Sequence, residues 1–220
     1  MTACSACIWD DGHSVVHDSL QMKHGHAEAL APLIDRLQKS SGIPWAAFNR
    51  IAVTTGPGSF TGLRVGLATA RALSLALDIP AVGVTATRAL AASVSYGQKD
   101  LGSVLTLIDT RRGDFYGELF DVTMLQSLCM PTVFSTHALF DLIRTHRKRA
   151  PIAICGDTSA FDLPDDLAPF CRIVETVTWP DPTAVARLGT QEVPSGPPTP
   201  FYIRPPNATP AAHGGQLRPG

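Results

Sequence analysis

The sequence lacks the features that mark membrane proteins, secreted proteins and proteins that coat nucleic acid. No apolar run approaches the roughly 20 residues needed to cross a bilayer, and no charged segment followed by an apolar one opens the chain as a secretory signal would. The net charge is −1 and the pI about 6.6, so the overall field attracts neither nucleic acid nor anionic lipid. The five cysteines are an odd number, which favours free thiols. We expect a globular cytoplasmic protein with no membrane partner.

The glycine-rich stretch in the first half lacks the residues of a phosphate-binding loop. A Walker loop needs Lys and then Ser or Thr after its last glycine, whereas Gly62 is followed by Leu63 and Arg64. Gly56 and Gly58 are followed by Gly62 one residue later than the dinucleotide fingerprint requires. The sequence therefore predicts no bound nucleotide in this stretch.

The same stretch instead has the pattern of a strand, a tight turn and a helix start. Ile51–Thr55 is short, β-branched and apolar, which predicts a strand in the interior of a sheet. Gly56 and Gly58 form the predicted turn, and Ser59 or Thr61 caps the helix that follows. Ser59 is not flanked by glycines two residues away on each side, so it does not form a nucleophile elbow.

Histidine and cysteine spacing does not predict a metal site. In the helix predicted over His24–Gly42, the residue four positions beyond His26 is Leu30, so no second imidazole shares that face. Cys4 and Cys7 lie three residues apart on a predicted strand and therefore point to opposite faces. No second cysteine pair completes a zinc site, so we expect no metal in this chain.

The order of predicted elements suggests two related α/β lobes, residues 1–98 and 99–206, followed by a flexible tail over residues 207–220. Eight of the 18 prolines lie between Pro194 and Pro219, which excludes a packed helix there. The predicted strands are 1–9, 13–17, 51–55, 80–84, 104–109, 115–120, 152–155 and 171–174. The predicted helices are 24–42, 59–77, 86–94, 136–149 and 183–188.

Asp109 ends a buried-looking strand, a position that suits either a catalytic carboxylate or a residue that fixes a hairpin. No carboxylate partner or metal ligand lies nearby in sequence, which favours the hairpin. The densest basic cluster, Arg144–Arg149, ends a predicted helix and complements its dipole. It has no interleaved aromatic residues for stacking on bases.

The helix after Ser59 carries small residues at every fourth position and is apolar on more than one side, so it should be buried on more than one side. Its own sheet can cover one face. The small-residue stripe and the leucines beside it form the predicted docking face for a helix or another protein. These residues are Gly62, Leu63, Gly66, Leu67 and Ala70, with Arg64 and Arg71 on the polar strip.

The segment GPGSFTGLR and the Gly-Leu-Ala-rich helix after it, Thr55 to Leu77, resemble the signature of the TsaB (YeaZ) family. Ile108-Asp109 with Gly117-Glu118, and the PFYIRP segment from Pro200, are similar to two further segments of that family. The resemblance implies the duplicated, ribonuclease H-like fold of the actin-like ATPase superfamily. It also implies that two helices dock onto the catalytic partner TsaD, through Leu30, Leu33, Ile34, Leu37, Gly62, Leu63, Arg64, Gly66, Leu67, Ala70 and Arg71.

The resemblance implies that the chain is a non-catalytic subunit of the complex that transfers threonylcarbamoyl to the tRNA adenosine beside the anticodon. TsaD carries the chemistry, a TsaE-like ATPase takes part, and tRNA is reached through the complex. ATP and metal are expected on the partner subunits and no cofactor in this chain. A homodimer through the same helix face remains open.

Two other functions stay open at this point. One is an enzyme, either a glycoprotease-like metallopeptidase or an ATP-dependent enzyme of the actin-like superfamily, and the other is a self-associating scaffold. The resemblance also implies one strand more than the sequence shows, because family members carry a strand ending in Asp-Thr-Ser or Asp-Thr-Ala just before the position of Met1. We expect that strand to be missing or shortened here, through a start codon assigned too far downstream, which would leave an exposed sheet edge.

Overall fold

A computed structural model of the chain describes residues 3–22, 24–95, 100–147 and 150–204. Its strands are β1 (Ala3–Asp10), β2 (His13–Gln21), β3 (Ile51–Gly56), β4 (Ala81–Thr85), β5 (Ser103–Asp109), β6 (Asp114–Asp121), β7 (Ser127–Ser135), β8 (Ile152–Gly156) and β9 (Cys171–Ile173). Its helices are α1 (His26–Ser41), α2 (Phe60–Leu77), α3 (Ala86–Ser95), α4 (Thr136–His146) and α5 (Pro182–Gln191). None of the described helices is long and apolar enough to cross a membrane.

The chain begins with the predicted hairpin, in which β1 and β2 pair antiparallel across a two-residue turn. The turn residues Asp11 and Gly12 have φ angles of 43° and 82°, as a type I′ turn requires. This turn matches the natural twist of the two strands, and α1 then covers one face of the hairpin. The buried residues of that contact are Cys4, Ile8, Leu33 and Leu37.

The first half contains two separate two-stranded sheets, β1-β2 and β3-β4. β3 and β4 pair parallel and are connected by α2. Ile51–Thr55 was expected in the interior of a sheet, and this expectation is wrong for the described residues. Within the ranges given above, β3 pairs with β4 alone, and its other edge lines a cavity. An apolar, β-branched sequence indicates that the side chains of a strand are buried, and it does not show how many strands flank it. Here α2 and α5 cover the side chains of β3.

The second half contains a five-stranded sheet in the order β7-β6-β5-β8-β9. β5 is its central strand and six of its seven residues are buried. The edge strand β7 was not predicted, and it contains Pro131. Pro131 has no backbone N–H to donate to β6. It lies opposite a shift in the pairing register between Gly117 and Leu119, so no regular hydrogen-bonded pair is lost there.

The two halves exchange helices. α3 packs its buried Leu90 and Val94 against the five-stranded sheet, whereas α5 lies across β1 and β3 of the first half. Gly189 of α5 approaches β3 so closely that a Cβ there would lie 2.4 Å from the Ala52 Cβ. The predicted class, a mixed α/β fold of two lobes, is confirmed, and each lobe packs against a helix from the other half of the chain.

Two helix ends differ from the prediction. α4 ends at His146 rather than Arg149, and Lys148 and Arg149 lie outside the described residues. α5 runs from Pro182 to Gln191 and so is longer than the predicted segment 183–188. The division at residue 98 and the tail over 207–220 also fall outside the described residues.

A buried carboxyl group joins α3 to the second sheet. Glu118 on β6 is 5% exposed, and the Thr87 hydroxyl donates a hydrogen bond of 2.6 Å to its Oε2. Burial raises the pKa of Glu118, although the Thr87 and Ser127 hydroxyls and the Arg88 charge partly oppose the shift. A folded-state pKa above the unfolded value means that the folded protein binds the proton more tightly. Stability is therefore lost as the pH rises from the ordinary glutamate pKa through the folded one.

We predict that Glu118→Gln raises the melting temperature at pH 7 and flattens its pH dependence above pH 4.5. The amide oxygen still accepts from Thr87, and no charge is left to bury. Thermal unfolding followed by circular dichroism between pH 4.5 and 8 measures this. Glu175→Gln, an exposed glutamate in the same half, is the control. A lower melting temperature for Glu118→Gln across that range would contradict the prediction.

Candidate partner-docking surface

The start of α2 is built by the turn that the sequence predicts. Ser59 is the N-cap, and its Oγ accepts a hydrogen bond of 3.3 Å from the Gly62 N–H. Thr61 lies in the first turn of the helix and is exposed, so of the two predicted caps Ser59 is the one used. Gly58 lies in the bend between strand and helix. The Gly62 and Leu63 N–H groups at this helix start are thus satisfied within the chain, the second by the Ser59 carbonyl.

Gly56 ends β3 at a point of close backbone approach. Its φ is 114°, and a Cβ there would lie 2.7 Å from the carbonyl oxygen of Phe201. The Phe201 N–H in turn donates a 2.8 Å hydrogen bond to the Thr55 carbonyl. The chain segment 198–204 therefore lies directly over the turn between β3 and α2.

The small-residue stripe of α2 faces the interior of this chain. Leu63, Leu67 and Ala70 are buried, and a Cβ on Gly66 would lie 3.6 Å from the Val53 side chain of β3. Gly62 lies against the Ser59 side chain. The stripe was predicted to dock a helix or another protein, and the structure covers most of it within the chain. A helix that is apolar on several sides does not reveal which side its own sheet covers.

The α1 residues predicted for the interface are also buried or half-buried within this chain. Leu33 and Leu37 are buried against β1, at 2% and 4% exposure. Leu30 and Ile34 are half-buried and line the cavity beside β3. Of the eleven residues predicted for docking, Arg64 and Arg71 are exposed. The assignment of a docking function to α1 and α2 stays a prediction.

The outward face of α2 is apolar, with arginines at its edge. Leu75 is 85% exposed, an unusual position for a large aliphatic side chain, and small side chains leave the helix backbone accessible beside it. We call this the α2 outer face, and its residues are Arg64, Ala68, Arg71, Ala72, Leu75 and Ala76. Arg71 also donates hydrogen bonds of 3.1 and 2.6 Å to the Pro198 carbonyl.

An aromatic cluster continues the α2 outer face toward the helix start. The Phe60 and Tyr202 rings lie 5.7 Å apart, and the Arg64 guanidinium lies 3.8 Å from the Phe60 ring centroid. Both rings are 38% exposed. Sequence reasoning missed this cluster, and the available signal was an aromatic residue directly after the cap in a segment otherwise made of small residues.

Arg204 fixes the end of the described chain to the second half. Its guanidinium donates to both carboxylate oxygens of Asp114, at 3.2 and 2.6 Å. Hydrogen bonds from the Arg204 guanidinium and from the Thr110 hydroxyl hold the pKa of Asp114 below its usual range.

Asp109 accepts a 2.7 Å hydrogen bond from the Arg111 N–H, which confirms its predicted role in fixing the turn between β5 and β6.

The remaining candidates for chemistry are the cysteines and the possible metal ligands. All five cysteines are free thiols, as predicted, and burial raises the pKa of Cys171 to about 11. In residues 3–22, 24–95, 100–147 and 150–204, no three His, Cys, Asp or Glu side chains are placed to hold a metal ion.

Part of the chain is similar in sequence to known proteins. Residues 20–127 match the family model described as TsaD, tRNA N6-adenosine threonylcarbamoyltransferase. The tRNA threonylcarbamoyladenosine biosynthesis protein TsaB of Escherichia coli is 32% identical over 114 residues, 52% of this chain and 48% of that protein. The Bacillus subtilis protein of that name is 32% identical over 99 residues, 45% of this chain and 42% of that protein. The chain therefore spans about half the length of the curated relatives it matches.

The fold is shared over almost the whole chain with solved structures from Pseudomonas aeruginosa. A protein with similarity to peptidase YeaZ superposes with a TM-score of 0.75 at 20% identity, covering 92% of this chain and 95% of that one. YeaZ itself gives a TM-score of 0.72 at 20% identity, covering 91% and 94%. At this identity the likeness establishes the fold.

We predict that Gly56→Ala destabilises the protein by about 2–4 kcal/mol, because the new Cβ meets the Phe201 carbonyl and the backbone is strained at positive φ. Gly113→Ala is the matched control, because Gly113 also has a positive φ, 81°, but no atom within 4 Å of the new Cβ. The control should lose only about 1 kcal/mol. Urea unfolding measures both, and equal losses would contradict a close contact at Gly56.

Proposed function

We propose that this chain is a member of the TsaB (YeaZ) family and a non-catalytic subunit of a complex that transfers threonylcarbamoyl to the tRNA adenosine beside the anticodon. A TsaD-like subunit carries the chemistry in this proposal, and the present chain supports it by direct contact. The observation that carries the proposal is the α2 outer face, an exposed apolar helix surface edged by arginine and aromatic side chains.

The composition of the α2 outer face suits a specific protein contact. Leu75 supplies an aliphatic anchor, and Ala68 and Ala72 let a partner helix approach the backbone closely. Arginine and aromatic residues contribute most of the binding energy at many interfaces, and Arg64 with Phe60 places both at one end of the helix. We therefore move the proposed docking face from the buried stripe to this surface.

The other members of the proposed assembly follow from the family. A TsaE-like ATPase takes part, ATP and metal are bound by the partner subunits, and tRNA is reached through the assembled complex. Self-association through the α2 outer face competes with the TsaD-like partner in this proposal. Such an assembly works in the cytoplasm, where its tRNA substrate is found.

We predict that Leu75→Arg weakens binding to the TsaD-like subunit of the same organism by at least about tenfold, since a charge replaces the apolar centre of the contact. Met130→Arg is the control, because Met130 is 75% exposed on edge strand β7 of the other half. Calorimetric titration measures the affinity, and formation of threonylcarbamoyladenosine on tRNA in the reconstituted mixture gives the functional readout. Unchanged affinity for Leu75→Arg would refute the assignment of this face.

Tyr202→Ala tests whether the aromatic cluster belongs to the same contact. We expect a loss of binding of about tenfold, because removing the ring leaves Phe60 without its aromatic packing partner. Val193→Ala, at a residue 83% exposed in the segment before it, should leave the affinity unchanged. Equal affinity for the two variants in the same titration would limit the contact to α2.

A further inference from the structure

The segment of residues 198–204 contacts both lobes of the protein. The first lobe consists of sheets β1-β2 and β3-β4 with α1 and α2, and the second lobe consists of the five-stranded sheet with α4. At the beginning of the segment, the Pro198 carbonyl accepts hydrogen bonds from Arg71 of α2. The Phe201 N–H then donates a 2.8 Å hydrogen bond to the Thr55 carbonyl of β3. The first lobe therefore holds the beginning of the segment.

The second lobe holds the end of the same segment. Tyr202 still packs against Phe60 of α2, with 5.7 Å between the ring centroids. The Arg204 guanidinium then donates to both carboxylate oxygens of Asp114, the first residue of β6. Three residues span at most about 11 Å even when fully extended, so the crossing from Phe201 to Arg204 is short.

Asp114 is oriented for this contact by its own lobe. The Thr110 hydroxyl donates a hydrogen bond to the Asp114 carboxylate and so limits its rotation. An arginine that donates to both oxygens of one carboxylate fixes a direction as well as a distance. The Arg204 and Asp114 side chains are 34% and 20% exposed, so salt screens their attraction only in part.

The lobes are also joined by a layer of two helices, in which α3 covers the sheet of the second lobe and α5 covers the sheets of the first. The contact between these helices includes Ala89, Ala92, Ala184, Val185 and Leu188. α3 is attached to β6 where the Thr87 hydroxyl donates to Glu118. Asp114 lies four residues before Glu118 on β6, about 13 Å along the strand. The Arg204–Asp114 pair is therefore a second attachment point away from the helix layer, and two separated points fix an angle that one point leaves free.

We propose that residues 198–204 form a strap that fixes the angle between the two lobes, and that the Arg204–Asp114 pair is its latch. When the pair is broken, the second lobe turns about the layer of α3 and α5. Because Tyr202 lies within the strap, release of Arg204 also frees the Tyr202 ring from Phe60. The latch thus controls both the angle between the lobes and the arrangement of the aromatic cluster.

Distance measurements between the lobes test the first part of the proposal. Spin labels on unnatural amino acids at Ser40 of α1 and Met130 of β7, both exposed, leave the native cysteines unmodified. We expect Arg204→Gln to broaden the distance distribution in electron–electron resonance at least about twofold. Arg172→Gln is the matched control, because it removes an arginine–aspartate pair, with Asp100, inside the second lobe. Equal widths for the wild type and Arg204→Gln would overturn the proposal.

Hydrogen exchange tests the strap and its latch. The Phe201 amide, which is bonded to Thr55, should exchange at least about tenfold faster in Arg204→Gln and in Asp114→Asn. Unchanged exchange of α4 amides shows that each variant stays folded. Because the two side chains act through one contact, the double variant should exchange no faster than either single variant.

Two results would overturn the assignment of the latch: unchanged exchange at Phe201, or additive effects of the two substitutions. Arg204→Lys covers the case in which Arg204→Gln does not fold. It keeps the charge and loses the two parallel hydrogen bonds, so its exchange rate at Phe201 should lie between those of the wild type and Asp114→Asn. None of these measurements involves the TsaD-like partner, so their failure would leave the proposed function unaffected.

Discussion

The packing of α5 against β3 is the contact on which the first half of the structure depends. Gly189 leaves no space between the helix and Ala52, and Arg50 donates hydrogen bonds to the carbonyl oxygens of Gly189, Thr190 and Glu192 at the end of α5. These carbonyls lack partners within the helix, so a cation at this point both satisfies them and complements the helix dipole. Since β1 and β3 share no backbone pairing among the described residues, α5 joins the two sheets by lying across both.

Local sequence rules predicted the elements whose cause is local. The Asp11-Gly12 turn and the Ser59 cap each depend on one or two residues whose preferences dominate. The same holds at the start of α3, where the Thr85 hydroxyl accepts a hydrogen bond from the Arg88 N–H. The order of strands and helices followed from these signals, and so did the two-lobed class. Edge strand β7 is difficult to predict, because proline is tolerated in a strand only at a sheet edge or a bulge. The sequence does not show which strand lies at the edge.

The docking surface was less predictable, because its identity depends on tertiary contacts. α2 is apolar on more than one side, and both the stripe of Gly66 and Ala70 and the face of Ala72 and Leu75 satisfy the same pattern. Only the position of β3 shows that the first is internal. The Phe60–Tyr202 pair joins residues 142 positions apart, which periodicity cannot detect. Arg204 and Asp114 are separated in the same way.

The exchange of helices also has a consequence for the order in which the chain can fold during synthesis. α5 covers the sheets formed by β1 and β3, yet it is made about 130 residues after β3. While the ribosome is still producing the second half, the first half exposes an apolar sheet face that only residues 182–191 can cover. We therefore expect the N-terminal half to complete its packing only after α5 has been made.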